Sequence, residues 1–247
     1  MPNHQLNPSS PFHKLPIPGA FFTSRGVGPE AGPYDGFSAC DYTGDSPEHY
    51  EECRRRLSEE FGVAMERIIL PRQVHSSKVA VPEEGDSIDW VDAIVTRQRG
   101  VIIGVNTADC VPVVMVDEAA GVWAVAHAGW RGAVGGVVEN ALSVMVRLGA
   151  SPANVEVAFG PSICPNCFEV GPEVAEQFPP SAVVRKSEWP RPHVDLQGYI
   201  SDLLRGLGVE KIHPFADAIC TRCHPSVFFS ARREGIKSGR NLTFLVS

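Results

Sequence analysis

Residues 101–138 read VIIGVNTADCVPVVMVDEAAGVWAVAHAGWRGAVGGVV, a stretch with three apolar runs separated by polar turns. Continuous apolar runs of this length predict buried strands, and the composition of residues 133–148 predicts a helix that Gly149 ends. Cys110 lies in the turn after the first run, and His127 lies where the third run meets the helix. Because Pro112 cannot donate a ladder hydrogen bond, we expect a local interruption of the sheet that turns Cys110 toward a cleft.

Cys110 and His127, together with His75 in the segment PRQVHSSKV, form a candidate metal site. Thiolate and imidazole ligands suit Zn²⁺, and three protein ligands leave one position open, which is typical of catalytic zinc. Each residue also has a simpler interpretation: a histidine at a strand end often only satisfies a buried hydrogen bond, and a cysteine often packs as a small apolar side chain. The carboxylate of Asp109 would raise the pKa of the Cys110 thiol, so a functional Cys110 requires a cationic neighbour.

The segment HAGWRG at residues 127–132 is also a candidate phosphate site. Free N–H groups at the start of the expected helix and the guanidinium of Arg131 favour an anion beside Arg131 and Gly132. The glycines taken alone favour simple turn geometry. Both interpretations stay open at the level of sequence.

The whole chain is typical of a globular protein, with 247 residues, 43% apolar content and a formal net charge of -7. We expect residues 1–19, rich in proline and polar residues, to form an irregular arm and residues 20–247 to form one catalytic domain. The acidic balance without a basic stripe argues against nucleic acid as a partner. The absence of a long apolar run and of a signal-peptide pattern predicts no membrane association and a cytoplasmic location.

Other segments predict regular elements by their end signals. The residues DSPE at positions 45–48 supply a capping residue and an early proline, and Gly62 supplies a C-terminal cap, so we expect a helix over residues 47–61. Short apolar runs predict strands near residues 68–70, 92–96 and 155–159.

Two C-x-x-C pairs form a second candidate metal site: Cys164 with Cys167, and Cys220 with Cys223. Seven cysteines in a cytoplasmic protein are expected to be thiols or metal ligands before disulfides. The pairs have the spacing of tetrahedral zinc knuckles, and a site with four cysteine ligands would be structural. The gap between the pairs is long for a zinc ribbon, so the alternative of unconnected thiols stays open.

The motifs QVHSSKV, DAIVT, TADCVPVV, AHAGWRG, GPSIC, FEVGPEV and FFSARR follow one another from about residue 21 to the end of the chain. In these motifs the chain resembles the laccase-domain family, also called multicopper polyphenol oxidases, whose members are now described as purine nucleoside phosphorylases. The resemblance places the metal ligands of the family on His75, Cys110 and His127. It implies zinc and an α+β fold, a single layered domain with mixed β-sheets flanked by helices. We expect a monomer or a homodimer.

The activity that the resemblance implies is phosphorolysis of adenosine, inosine, guanosine or methylthioadenosine to the free base and ribose 1-phosphate. It also implies deamination of adenosine at the same site. The partners would then be small molecules, namely purine nucleosides and phosphate. Ser38 stands where the family usually has an asparagine, so we expect substrate preference to differ if that position lines the pocket.

Three other functions remain open at this stage. A copper phenol oxidase would need several copper sites built mainly from histidines, and the eight histidines include no H-x-H pair. Cys110 could instead be a nucleophile with His127 or His75 as its base, hydrolysing an amide such as a peptidoglycan precursor. A non-enzymatic binding module stabilised by zinc at the four C-x-x-C cysteines is the third.

Overall fold

The computed structural model describes residues 10–26, 32–215 and 219–247, so residues 1–9 of the expected arm lie outside the described part. The strands are β1 (Phe12–Lys14), β2 (Ala20–Thr23), β3 (Ile68–Ile69), β4 (Val79–Ala80), β5 (Ala93–Thr96), β6 (Ile102–Thr107), β7 (Val111–Asp117), β8 (Val122–Ala128), β9 (Glu156–Phe159), β10 (Val183–Val184), β11 (His193–Val194), β12 (Lys211–His213) and β13 (Asn241–Val246). The helices are α1 (Pro47–Phe61), α2 (Trp130–Val134), α3 (Val137–Arg147), α4 (Pro172–Ala175), α5 (Leu196–Gly206) and α6 (Ala231–Glu234).

Two mixed β-sheets pack against each other. The five-stranded sheet has the order β1-β2-β13-β6-β3, and the six-stranded sheet has the order β12-β9-β7-β8-β5-β4. Both contain parallel and antiparallel pairs. Buried side chains of β6, β7 and β8 share one apolar core between the sheets. The expected α+β arrangement of mixed sheets flanked by helices is therefore confirmed.

Helices cover the outer faces of the two sheets. Ile103 of β6 belongs to the core between the sheets, whereas its neighbour Ile102 belongs to a second apolar cluster that includes Leu57 of α1. Successive strand residues point to opposite faces, so α1 covers the outer face of the five-stranded sheet. Helix α3 packs on β8 and β5 and contributes Met145 to the main core. In the described ranges no helix combines the length and apolarity needed to cross a bilayer.

The end signals predicted helix α1 correctly. The Ser46 side chain accepts a hydrogen bond from the His49 N–H, and Gly62 adopts a φ of 63° as the C-terminal cap. The prediction of a single helix over residues 133–148 is wrong, because the chain forms α2 and α3 instead. Gly136 has a φ of 87° between them, a left-handed conformation that ends one helix before the next begins.

Two further expectations need correction. Pro112 lies inside β7, opposite His127 of β8, so the pairing of β7 with β8 is not interrupted there. Its carbonyl accepts from Gly160 N–H at 3.0 Å, and its nitrogen faces the same side, where β9 has already ended at Phe159. The missing N–H of Pro112 therefore removes a bond where the pairing with β9 ends, and none to β8. The prediction of an irregular arm is also wrong for residues 12–14, which form β1. This strand pairs with β2 and is an edge strand of the five-stranded sheet.

Candidate active site

The three candidate ligands meet at one end of the central strands of the six-stranded sheet. Cys110 directly precedes β7, His127 is near the end of the antiparallel neighbour β8, and His75 lies in the loop before β4. Their ligand atoms all lie within 4.8 Å of one another. The Cys110 Sγ is 3.8 Å from His75 Nε2, and the two imidazole ring centres are 4.7 Å apart. His75 is exposed, Cys110 is partly buried and His127 is buried, so the site opens to solvent on the His75 side.

Asp92, at the start of β5, connects the two histidines. Its fully buried carboxylate accepts five hydrogen bonds, from Val74 N–H, His75 N–H, Ser76 N–H, the Ser76 hydroxyl and His127. The Oδ1–Nδ1 distance to His127 is 2.8 Å. Because a carboxylate only accepts, the proton is on Nδ1, and Nε2 of His127 is left for a metal. Asp92 thus fixes the tautomer of one histidine and the loop of the other.

The loop conformation at His75 is unusual. His75 has a φ of 62°, a left-handed conformation that costs a non-glycine residue about 1 kcal/mol or more. The hydrogen bond from its N–H to Asp92, at 2.9 Å, holds that conformation in place. Burial alone would raise the pKa of Asp92, but the hydrogen bond and charge of His127 and the hydrogen bonds of Ser76 lower it to about 2. The group that orders the loop is therefore ionised at neutral pH.

Cys110 and His127 form a charged pair in the metal-free protein. Burial would raise the pKa of the Cys110 thiol, but the nearby charge of His127, with hydrogen bonds from both histidines, lowers it to about 6. Burial would lower the pKa of His127, but the Cys110 thiolate and Asp92 raise it to about 9. The cationic neighbour that Cys110 requires is therefore present, and the thiol is ready to bind a metal as thiolate.

Asp109 does not act on the Cys110 thiol in the expected way. Its carboxylate accepts from the hydroxyls of Thr221 and Ser230, at 2.7 and 3.0 Å, and from the Arg232 N–H at 2.7 Å. Asp109 is buried and has a φ of 96°. Its side chain anchors the turn before Cys110 to the C-terminal part of the chain, so it positions the thiol through the backbone.

Gly129 is a further part of the site that the sequence analysis did not assign. A Cβ at this position would lie 2.7 Å from His75 Cδ2 and 2.9 Å from Cys110 Sγ. Its φ of -68° is open to any residue, so the requirement is for space rather than for backbone freedom. Glycine lets the turn after β8 pass directly against the two other ligands.

The expected phosphate residues lie just beyond this turn. Arg131 is exposed, and its guanidinium stands 4.3 Å from the centre of the Trp130 ring. Gly132 is buried, and a Cβ there would lie 3.1 Å from the carbonyl oxygen of Ser76. The close approach of α2 to the His75 loop explains this glycine. Of the two, Arg131 is the residue that a ligand can reach.

Ser38 lies away from solvent. It is 0% exposed, its hydroxyl accepts from Arg240 N–H at 3.0 Å, and its own N–H donates to the Cys53 sulfur. Ser38 joins the segment before α1 to the segment before β13.

The four C-x-x-C cysteines also come together. The ligand atoms of Cys164, Cys167, Cys220 and Cys223 lie within 4.8 Å of one another. The two loops that carry them therefore meet in space despite their distance in sequence. A separate cavity of about 620 Å³ lies at the far end of β7, beside Val116 and Asp117, and is remote from Cys110 along that strand.

Asp92 is the functional residue that the sequence did not single out. It stands alone before an apolar strand in the segment DWVDAIVT, with no spacing that relates it to the histidines. The one available signal was a carboxylate next to a strand expected to be fully buried, because such a group needs partners. Only the pairing of β5 with β8 brings it to His127.

Comparisons of sequence and structure match this chain to known proteins over most of its length. A protein named Adenosine deaminase RL5, from an unknown prokaryotic organism, is 42% identical over 240 residues, which is 91% of this chain and 92% of that protein. A Purine nucleoside phosphorylase of Deinococcus radiodurans is 38% identical over 232 residues, covering 92% and 87% of the two chains. The crystal structure of YlmD from Geobacillus stearothermophilus superposes with a TM-score of 0.86 at 27% identity, covering 98% and 97%.

The family model described as multi-copper polyphenol oxidoreductase laccase matches residues 19–247, which include His75, Cys110 and His127. With a match of this extent and relatives well above 30% identity, the chain belongs to this laccase-like family.

Proposed function

We propose that this protein is a zinc-dependent purine nucleoside phosphorylase that also deaminates adenosine. The observation that carries the proposal is the open three-ligand group of His75, Cys110 and His127, in a chain whose relatives are named for these two activities. The substrates would be adenosine, inosine, guanosine or methylthioadenosine, with phosphate as the second substrate for phosphorolysis.

The donor set supports zinc as the metal. His127 and His75 offer imidazole nitrogens, Cys110 offers a thiolate, and Asp92 holds the proton on the far nitrogen of His127. This combination of two nitrogens and one sulfur suits Zn²⁺, and a three-residue site leaves room for water or substrate. Bound zinc would supply Lewis-acid chemistry, which activates water for attack on a purine ring.

The two reactions place different demands on the protein. In phosphorolysis the C1′–N9 bond breaks and a bond forms from phosphate oxygen to C1′, so phosphate must be held beside the ribose. In deamination water replaces the amino group at C6 and ammonia leaves. Arg131 would bind phosphate, since it is exposed at the turn after His127 and its guanidinium can donate a bidentate pair of hydrogen bonds. Its loss should therefore separate the two activities.

The older interpretation as a copper phenol oxidase receives little support from the donor sets. Within residues 10–26, 32–215 and 219–247, the candidate metal groups are the two-histidine, one-cysteine set and the four-cysteine set. A multicopper oxidase would need several sites built mainly from histidines. Zinc fits the group of His75, Cys110 and His127 better than a multicopper centre does.

One observation favours a second candidate function, a cysteine-dependent amide hydrolase. Asp92, His127 and Cys110 form a chain of contacts in which a carboxylate orients an imidazole that lowers the pKa of a thiol. The same order of groups activates nucleophilic cysteines. In that case Cys110 would attack the carbonyl carbon of an amide such as a peptidoglycan precursor, and the amine would leave with a proton from His127. Water would then cleave the resulting thioester, which releases the acid and restores the Cys110 thiol.

Assays with purified zinc-loaded protein distinguish these functions. Adenosine, inosine, guanosine and methylthioadenosine are each incubated with and without phosphate, and free base, ribose 1-phosphate and inosine are measured. We expect base release that requires phosphate, inosine formation that does not, and loss of both in Cys110→Ala. The control is Cys53→Ala, which removes a buried thiol from α1, far along the chain from the ligands. If neither product forms, or Cys110→Ala equals the parent, the proposal is wrong.

Thiol alkylation separates the metal enzyme from the hydrolase. Zinc-loaded protein should resist labelling at Cys110 until a chelator is added, because the thiolate is then a ligand. A nucleophilic Cys110 should react at once in either condition. We place the activity in the cytoplasm, where the seven cysteines, all free of disulfides, would stay reduced.

A further inference from the structure

A second group of metal-type ligands lies outside the active site. The sulfur atoms of Cys164, Cys167, Cys220 and Cys223 all lie within 4.8 Å of one another, and Cys167 and Cys223 are 3.2 Å apart. Cys167 and Cys220 are buried, whereas Cys223 is exposed. A divalent cation would balance the charge of the four thiolates, which would otherwise repel one another at such separations.

Each C-x-x-C pair lies in a tight turn closed by backbone hydrogen bonds. The carbonyl of Cys164 accepts from the N–H groups of Cys167 and Phe168, and the carbonyl of Cys220 accepts from His224 N–H. In addition, Cys164 N–H donates to the Cys220 sulfur at 3.3 Å. An N–H that donates to sulfur stabilises thiolate character, as outer-shell donors do in metal sites. Two tight turns and one such donor are therefore present around the four sulfurs.

We propose that Cys164, Cys167, Cys220 and Cys223 bind one Zn²⁺ ion as a closed structural site. Four cysteine sulfurs complete the tetrahedral coordination of zinc and leave no position for substrate. This closed site thereby differs from the open group of His75, Cys110 and His127. The inference uses only the cysteine loops, so it does not depend on the proposed enzymatic function.

The proposed ion would fasten two loops that hold the turn before Cys110. Ile163, beside Cys164, donates its N–H to the Asp109 carbonyl at 2.9 Å. Thr221, beside Cys220, donates its hydroxyl to the Asp109 carboxylate at 2.7 Å. Both loops thus meet Asp109 one residue away from an active-site ligand. The four-cysteine site would hold these loops in register with β7.

Protection of Cys223 gives a test that needs no variant. Because this side chain is exposed, iodoacetamide can reach a free thiol there, and labelling is carried out at alkaline pH because the hydrogen bond with Cys167 raises the pKa of Cys223. We expect peptide mass spectrometry to show Cys223 unlabelled in zinc-loaded protein and labelled after chelation. Cys40 and Cys53, each 1% exposed, report whether chelation unfolds the whole chain. Equal labelling of Cys223 with and without zinc would overturn the inference, as would an intact mass showing disulfides among the four cysteines.

Metal analysis of variants tells the two sites apart. We expect two zinc ions per chain in the parent and in Cys53→Ala, one in Cys220→Ser, one in Cys110→Ala and none in the double variant Cys110→Ala/Cys220→Ser. One ion in the parent and none in Cys110→Ala would refute the four-cysteine site while leaving the active site intact. One ion in both proteins would refute the active-site metal and support the four-cysteine site. Iron in place of zinc would overturn the choice of metal.

Discussion

Replacement of Asp92 by asparagine tests whether one buried carboxylate organises the metal site. Oδ1 accepts from His75 and His127, and Oδ2 accepts from Val74 and twice from Ser76. Whichever oxygen becomes an amide nitrogen, at least two donors then face another donor. Each buried donor left without an acceptor costs about 1–3 kcal/mol.

The pKa of Asp92 gives a second measure of the same effect. Its fall from 3.8 to about 2 corresponds to about 2 kcal/mol of stabilisation of the ionised form in the metal-free protein. The two arguments together give an expected loss of about 2–4 kcal/mol in the free energy of unfolding. For a chain of this size that loss lowers Tm by about 5–15 °C.

The sign of the pH dependence follows from the lowered pKa. The contribution of Asp92 is fully present above its unfolded value of 3.8 and is lost as pH falls through about 2. We therefore expect the stability gap between the parent and Asp92→Asn, measured by urea unfolding of metal-free protein, to narrow between about pH 4 and pH 2. A gap that stays constant across this range would contradict the assigned role.

Metal affinity is the decisive measurement for this variant. Loss of the carboxylate frees the tautomer of His127 and the loop of His75, so zinc affinity should fall about 10- to 100-fold in competition with a chromogenic chelator. Asp117→Asn is the matched control, because Asp117 is 1% exposed, accepts from two backbone N–H groups and lies at the other end of β7. Equal zinc affinities for the two variants would refute the reasoning.

Three other changes test the remaining parts of the site. Gly129→Ala should weaken zinc binding at least 10-fold, by titration with a chelator, because the added methyl group would lie under 3 Å from both His75 and Cys110. In metal-free protein, alkylation of Cys110 should slow as pH falls through about 6. Burial raises the pKa of its thiol, but the positive charge of His127 lowers it to about 6. Arg131→Ala should raise the KM for phosphate about 10-fold or more while adenosine deamination changes little, as steady-state assays would show.

Each of these changes has its own control. Gly206→Ala adds a methyl group where nothing lies within 4 Å, so it should leave zinc affinity unchanged. The Cys110 labelling profile is compared with zinc-loaded protein, and a midpoint near pH 9 would contradict the thiolate assignment. Arg131→Lys keeps the charge and should recover part of the phosphate affinity. An unchanged KM for phosphate in Arg131→Ala would remove Arg131 from the phosphate site.

The sequence indicated the candidate ligands better than the groups that support them. His75, Cys110 and His127 could be chosen because their side chains have metal chemistry, because Cys110 and His127 lie beside apolar runs, and because the family resemblance places ligands on all three. Asp92 could not, because its role depends on a strand pairing between residues far apart in the chain. Gly129 was noted only as a turn residue, since the space it vacates is occupied by side chains from two other segments.

The errors in the fold have equally local causes. Pro112 was expected to interrupt the sheet, but the rule concerns only the direction in which its nitrogen points, and that direction is toward Gly160 at the end of β9 rather than toward β8. The long helix after β8 was predicted from composition, although the Gly135-Gly136 pair was a visible signal for a break. The burial of Ser38 could not be deduced from the sequence, because its partner Arg240 lies 202 residues further along the chain.

The direct pairing of Pro112 with His127 has a consequence for how this centre can change. Pro112 follows Cys110 by two residues and pairs with His127. The strand register therefore sets the spacing between the Cys110 sulfur and the His127 imidazole in the candidate site. A slip of one residue would point the imidazole to the opposite face of the sheet. Replacing a ligand side chain, for example by Cys110→Asp, would alter the metal preference and leave the strand register unchanged. A change of register would instead separate the ligand side chains and abolish the site.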